Sequence, residues 1–550
     1  MEKRKLKVWL VVLIAMVMMV SACSNANNDG KTNTSKAEGE NSSGKSNNGD
    51  GEGAKNEREQ LELNWYVAGS EVSNNAVMPS SKDDFVKQAI EEKFNVKLNF
   101  TSSLYSADYE KQLNTKLAAD PPHLFVAGGR QSQTLTLDGL LADMTPFVNP
   151  ETMPNYFEYW VSEQELERYA IENSFVRAPV PFSRNRYTSY YIRKDWLDKL
   201  QLEVPSSYED MLEVMRKFTF DDPDGNGAGD TYGMSASGNG LTYSGDFPQM
   251  VHNELWAMTF DKEKGTYRDG GTDLEMEKIL TEIKAMLAEN IVDPDWFLNK
   301  GTAHWDKAAN GKAGIVMGHA KDFALDANPN SIQSRIKAII PEAEFVPFTP
   351  FGQEKGLTLS ALPGNPFAFH TTVAEKEPEA IKRSVEILDW LASEEGYLLT
   401  KYGQEGVHYT REGNTITVKE AYNEVASWLS LYGFFTPKDD ANQLGLTIID
   451  PTYTERDLAI VDEIRSYPVK EHIGTNVAPP EGADLGALRT KMREYHVKVL
   501  FEEPDASNWP KYHEELMTTF RGRDTFNAYA EQIGAAHGIE VVFDEGSVDQ

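Results

Sequence analysis

Between Leu61 and Gly129 the hydrophobic period changes four times, and no other stretch restricts the fold as much. Residues 61–67 (LELNWYV) read as a buried strand, and 82–94 place Val86, Ala89, Ile90 and Phe94 on one helical face. Val96, Leu98 and Phe100 then alternate as a strand, 107–119 form a second helix, and 124–129 (LFVAGG) a third strand. Strands alternating with helices at this spacing predict an α/β fold with a parallel sheet, because parallel neighbours need a crossover between them. Ligands of such sheets bind beyond the carboxyl ends of the strands, which sets Tyr66, Val67, Ala68, Gly128 and Gly129 beside an expected cleft.

Farther on, Tyr190-Tyr191-Ile192 reads as a short strand feeding a helix at Lys194–Leu200. Ser206 with Glu209 predicts a capping box, and Tyr208, Met211, Leu212 and Met215 the buried face of the helix it opens. Helical patterns recur at 273–289 and 378–402, and 314–319 (GIVMGH) reads as another buried strand, whereas 420–550 is mixed and helical only in patches. There is no internal repeat. One cysteine in 550 residues excludes a disulfide framework, so the core alone must hold the fold. The chain is 40% apolar and 11% aromatic, which supplies that core, and its length predicts two or more domains.

The cysteine is Cys23. It follows a basic segment (Lys3, Arg4, Lys5, Lys7) and thirteen apolar residues from Val8 to Val20, too few to span a bilayer as a helix. Val20-Ser21-Ala22-Cys23 resembles a bacterial lipobox, which implies a signal peptide at 1–22 and a lipid on Cys23 at the extracytoplasmic face of the cell membrane. Residues 24–57 contain no large apolar side chain and read as a flexible tether, roughly 30–35 Å in root-mean-square reach. The formal net charge is −32, and the first 22 residues are basic, so the remainder is more acidic still. Such a surface repels nucleic acid, and an anionic ligand would need local Arg or Lys to override the field.

Residues 221–233, DDPDGNGAGDTYG, place oxygen-bearing side chains at alternate positions: Asp222, Asp224, Asn226 and, farther on, Asp230. Ala228 adds a backbone carbonyl. A loop built this way can curl around Ca²⁺, which takes 6–8 oxygens. Gly233 stands where an EF-hand carries its bidentate glutamate, so a structural ion with ligands from elsewhere is expected. The surrounding stretch 190–235 (YYIRKDWLDKLQLEVPSSYEDMLEVMRKFTFDDPDGNGAGDTYGMS), together with 387–409 (ILDWLASEEGYLLTKYGQEGVHY) and the weaker FNAYAEQI at 526–533, resembles extracellular solute-binding proteins of carbohydrate ABC importers. The likeness is to the family 1 type, in the lipoprotein branch with alginate- and oligosaccharide-binding members.

That resemblance implies a two-lobed periplasmic-binding-protein-like fold (type II), with a ligand cleft between hinged lobes. The chain would cross between lobes near Tyr187–Arg193 and near Ala361–Phe369. Lobe 1 is then expected at 58–188 with 363–430 returning to it, lobe 2 with the calcium loop at 189–362, and a helical part at 431–550 mainly in lobe 2. Two positions depart from the relatives' pattern: Thr231 where an acidic residue is common, and His123 after Pro121-Pro122 where an aspartate is common; His123 either faces the cleft or, as is more usual for a histidine at a strand start, is capped or solvated. Implied partners are an oligosaccharide and the permease subunits of an ABC transporter, with the chain itself a monomer.

Sugars need flat apolar faces and convergent polar groups. Trp160, Trp196, Trp390 and Trp428 sit in helical patterns and read as core. Trp65 and Tyr66 at the end of the first strand, and Trp256 and Trp305 in irregular stretches, are the candidate ligand faces. Arg184, Arg186 and Tyr187 are candidate hydrogen-bonding groups just before the first crossing. A cell-surface glycoside hydrolase and a binder of peptide or another solute are the competing readings. No G-x-S-x-G, H-E-x-x-H or Walker A motif is present, so no enzyme is expected.

Overall fold

A computed structural model describes residues 58–69, 72–73, 75–171, 174–352, 355–360 and 365–547. Cys23, the expected signal and tether, and residues 361–364 of the expected second crossing lie outside them. Among the described residues no helix is long and apolar enough to cross a membrane.

The alternation at 61–129 folds as the sequence predicts. Strands Leu61–Gly69, Val96–Leu104 and Leu124–Val126 pair in parallel, joined by helices Phe85–Phe94 and Ala107–Ala119. Two short strands extend the sheet antiparallel: Pro366–Ala368 beside Leu124–Val126, then Ala178–Pro179. Successive residues of Leu61–Gly69 point to opposite faces. Leu63, Trp65 and Val67 enter a large core, while Tyr66 and Ala68 enter a smaller one with Tyr109, Leu113 and Phe125. Helices cover both faces, which explains why the strand reads as a nearly continuous apolar run.

A second sheet orders strands Phe345–Phe348, Ser189–Arg193, Ala313–Gly318 and Tyr232–Met234. Ser207, one residue after the expected cap, accepts from the Asp210 amide and opens helix Tyr208–Phe220. Its buried face is Met211, Val214, Met215 and Phe218. An N-cap of this kind stabilises by about 1 kcal/mol. The carboxyl-terminal helices Leu485–Phe501, Trp509–Thr518 and Gly522–His537 pack on the same core. There the Trp509 indole donates to the Asp273 carbonyl at 2.7 Å.

The two large cores interleave along the chain. One draws on residues from Leu63 to Val180 and again from Phe367 to Leu446; the other on Tyr187 to Leu357 and again from Ile460 to Val541. The return to the first core therefore runs past residue 430, because Leu429, Tyr432, Phe434, Phe435 and Leu446 all bury there. The chain leaves one core for the other at 181–186, between Leu357 and Pro366, and at 447–459.

Candidate functional site

A cleft of about 2070 Å³ opens where these passages run together. Its lining takes Ser183, Asn185, Arg186, Tyr187 and Thr188 from in and just after the first passage, with Leu357–Ser360 at the start of the second. One wall comes from Tyr402, Tyr422 and the 3₁₀ segment Lys438–Leu444 on the side of the first core. The opposite wall carries Tyr243, Trp256, Met258, Met317 and Tyr453 on the side of the second.

Its polar groups are organised by tyrosines. Arg465 donates to the Tyr187 hydroxyl through Nε (3.2 Å) and Nη2 (2.9 Å) and lies over the same ring. Burial pushes the Tyr187 phenol up, so it stays protonated. Lys438 donates to the Tyr422 hydroxyl at 2.7 Å and sits over the rings of Tyr422 and Tyr402. Lys321 reaches across to Asp439 at 2.9 Å, and Arg489 is held by the buried Asp269. His472 is pushed down to about 4 by burial and by the neighbouring Arg186 cation, so it is neutral at physiological pH.

Among the described residues, two buried donors of the lining lack a hydrogen-bond partner. Arg186 makes no ion pair or hydrogen bond among the described residues, and its Nε is buried without an acceptor. The Trp256 indole Nε1 is likewise buried and unpartnered, while Lys470 lies over its ring. A buried donor left alone costs about 1–3 kcal/mol, which an acceptor entering the cleft, water or ligand, would recover.

Of the six residues expected to meet a ligand, Tyr187 and Trp256 line the cleft and four do not. Trp65 is 2% exposed; its indole donates to Ser384 Oγ at 2.9 Å, and it packs edge-on to Phe100 and Phe434. Tyr66 stacks on Tyr109 in the smaller core. Both fail for one reason: their strand continues to Gly69, so they sit mid-sheet with both faces covered. Trp305 donates to the Met317 carbonyl and packs edge-on to Phe323, behind the wall. Arg184 pairs with Glu165 at 2.7 Å and borders a separate cavity of about 160 Å³. His123 is buried, accepting from the Asn64 amide and facing Glu377, away from the cleft.

The strand ends at Gly128 and Gly129 do not open to ligand either. Tyr105 Oη accepts from the Gly128 amide, and a Cβ on Gly129 would collide with Asn476. The lining residues that sequence reasoning missed, Tyr402, Tyr422, Lys438, Asp439 and Tyr453, come from helix ends and short 3₁₀ turns without a period.

At the glycine-rich loop, Asn226 Nδ2 donates to Asp224 (2.7 Å) and Asp230 (3.1 Å), while the Asn226 and Gly227 amides donate to Asp222. The Ala228 amide donates to Asn226 Oδ1, and Lys312 pairs with Asp230. The missing acidic side chain at Thr231 has a physical explanation: its hydroxyl is buried and donates to the Phe218 carbonyl. Burial, the adjoining Asp222 carboxyl and the Asp230 charge push Asp224 up. Oxygens crowded this way fit a hard cation, which would relieve the repulsion. As it stands the cluster is closed by Asn226, and among the described residues no three His, Cys, Asp or Glu side chains are grouped to hold a metal.

Known proteins share this architecture. The chain is 32% identical over 238 residues to the polygalacturonan/rhamnogalacturonan-binding protein YtcQ of Bacillus subtilis, an alignment covering 43% of this chain and 46% of that one. It thus spans about half the length of that relative. The solved HMO-binding, ABC-transporter-associated solute-binding protein of Bifidobacterium longum infantis superposes with TM-score 0.63 at 18% identity, over 86% of this chain and 99% of the other. The alginate-binding protein AlgQ2, solved without calcium ion, superposes with TM-score 0.59 at 16% identity, over 87% and 98%. These likenesses extend the two-core α/β architecture to proteins far apart in sequence. Residues 86–403 match the family described as bacterial extracellular solute-binding protein, and with more than half its length inside that match the chain belongs to this family.

Proposed function

We propose that the chain is a membrane-tethered extracytoplasmic receptor that captures an oligosaccharide between its lobes and delivers it to an ABC permease. The cleft carries this reading. Pockets for drug-sized ligands occupy roughly 300–1,000 Å³. A volume of about 2070 Å³, walled by Tyr243, Trp256, Tyr402, Tyr422 and Tyr453, suits a ligand of several sugar rings. The flat faces would cover sugar C–H surfaces, while Arg186 and the Trp256 indole N–H would take up oxygens. Names of similar proteins, YtcQ and the HMO-binding protein, support a glycan ligand. Passages between the cores that line the cleft suit a hinge, so closure on ligand is the expected motion.

Two finer elements belong to the same reading. Cys23 carries the lipid that retains the receptor at the cell surface. Ca²⁺ is a structural ion of the loop Asp222–Asp230, with Asp222, Asp224, Asn226, the Ala228 carbonyl and Asp230 as its ligands; the alginate-binding neighbour, described by its calcium state, is consistent with this. The test is a glycan panel read by tryptophan emission and calorimetry, with the sugar recovered and sized afterwards. Binding with intact sugar supports a receptor. Shortened sugar would establish a hydrolase, and tight binding of peptide with no glycan would replace the ligand class.

A further inference from the structure

The cleft and the molecule carry opposite electrostatics. The chain has a formal net charge of −32, yet five Lys and Arg side chains line the cleft against three Asp. Two of the cations are neutralised in place, Lys321 by Asp439 and Arg489 by Asp269. The other three, Arg186, Lys438 and Arg465, have no carboxylate partner among the described residues. Lys438 is held by the Tyr422 hydroxyl and the Tyr422 and Tyr402 rings, Arg465 by the hydroxyl and ring of Tyr187, and Arg186 has no hydrogen-bond or ion-pair partner among the described residues. Of the two remaining lining carboxylates, Asp450 is engaged locally by Thr452 and Asp322 by Asn328.

A guanidinium kept partly out of water without a counter-ion is unfavourable, and a folded chain retains one where a ligand supplies the charge. Here the buried, acceptor-less Nε makes the argument directional. Nε with a terminal nitrogen forms a planar two-donor fork, whose complement is a carboxylate. Tyrosine-tethered Lys438 and Arg465 keep their positions when the cleft is empty, so further acidic groups meet cations already in place. We propose that the cleft selects oligosaccharides bearing uronic acids, with Arg186 taking one sugar carboxylate through its fork and Lys438 and Arg465 taking others along the chain. This rests on the receptor reading given above.

The experiment is calorimetry on the purified chain with trigalacturonate, trimannuronate, the same trimers with each carboxyl reduced to a primary alcohol, and a sulfated trisaccharide. At least one acidic trimer should bind at least about tenfold tighter than its reduced counterpart, and should weaken between about 50 and 300 mM salt. Arg186→Met should abolish most of that preference, weakening the acidic trimer by at least about tenfold and the reduced trimer much less. Arg186→Lys, which keeps charge but not the fork, should fall between. Because Arg186 has no partner to lose, Arg186→Met should melt no lower than the parent, which separates a ligand contact from a structural role. Equal binding of acidic and reduced trimers, or equal loss of both in Arg186→Met, overturns the proposal and leaves the receptor reading intact. Sulfated sugar binding as tightly as the best uronate would overturn the carboxylate assignment. Failure of every sugar would sink both readings.

Discussion

Trp65 and Trp256 offer a paired perturbation, because the structure buries one in a core and sets the other in the lining of the cleft. Trp65→Phe removes the N–H that satisfies the fully buried Ser384 hydroxyl. A stranded buried acceptor costs about 1–3 kcal/mol, and the lost ring volume adds a cavity between Phe100 and Phe434. About 3 kcal/mol in a lobe of this size lowers its melting midpoint by roughly 6–12 °C. Ligand affinity at a temperature where the variant is folded should not change. Trp256→Ala does the reverse. Its indole N–H is unpartnered and its ring lines the cleft, so truncation leaves no buried acceptor behind. The melting midpoint should hardly move, while affinity for the selected glycan falls by about 2 kcal/mol, close to thirtyfold. Differential scanning calorimetry and isothermal titration on the same preparations check both. A Trp65→Phe variant that melts normally but binds weakly, or a Trp256→Ala variant that binds normally, would refute the assignment.

Three further outcomes are expected. Chelation should lower the thermal midpoint of the parent, Mg²⁺ should restore it poorly, and Asp222→Asn with Asp224→Asn should remove the dependence; Asn suits position 222, where φ is +49°. The calcium increment should also depend on pH. Asp224 lies above its ordinary 3.8 without the ion, so acidification protonates it early; the increment should be full at neutral pH and shrink before pH 3.8 is reached, which melts in a pH series with and without Ca²⁺ will show. Cys23→Ser should give a chain that is not labelled by fatty acid and is unprocessed or released from membranes. Normal processing and retention of that variant would remove the lipid assignment.

Legibility in the sequence followed periodicity. The strands and helices from Leu61 to Val126 could be read because each buries a regular face, and helix Met276–Ala288 for the same reason. Register was harder: Ser207 rather than Ser206 caps its helix, its side chain accepting from the Asp210 amide. Trp65 and Tyr66 were misplaced by a strand end read two residues early, enough to move a side chain from the rim to the middle of a covered sheet. Tyr187 and Trp256 were accessible to reasoning because aromatic side chains in irregular segments have few other uses. Lys438, Tyr422 and Tyr402 were not, since their shared wall forms only when 397–446 packs against the first core. The third passage near residue 450 left no compositional mark.

The interleaved cores also decide when the protein can become compact. Trp65 bonds to Ser384, 319 positions later, and Arg58 to Glu386, 328 positions later. On the other side Trp509 closes on Asp273 across 236 positions. Neither lobe can finish its interior until most of the polypeptide exists, and contacts this distant in sequence form slowly. For a receptor exported as proposed above, that delay would keep the chain threadable until the carboxyl-terminal helices had followed it out.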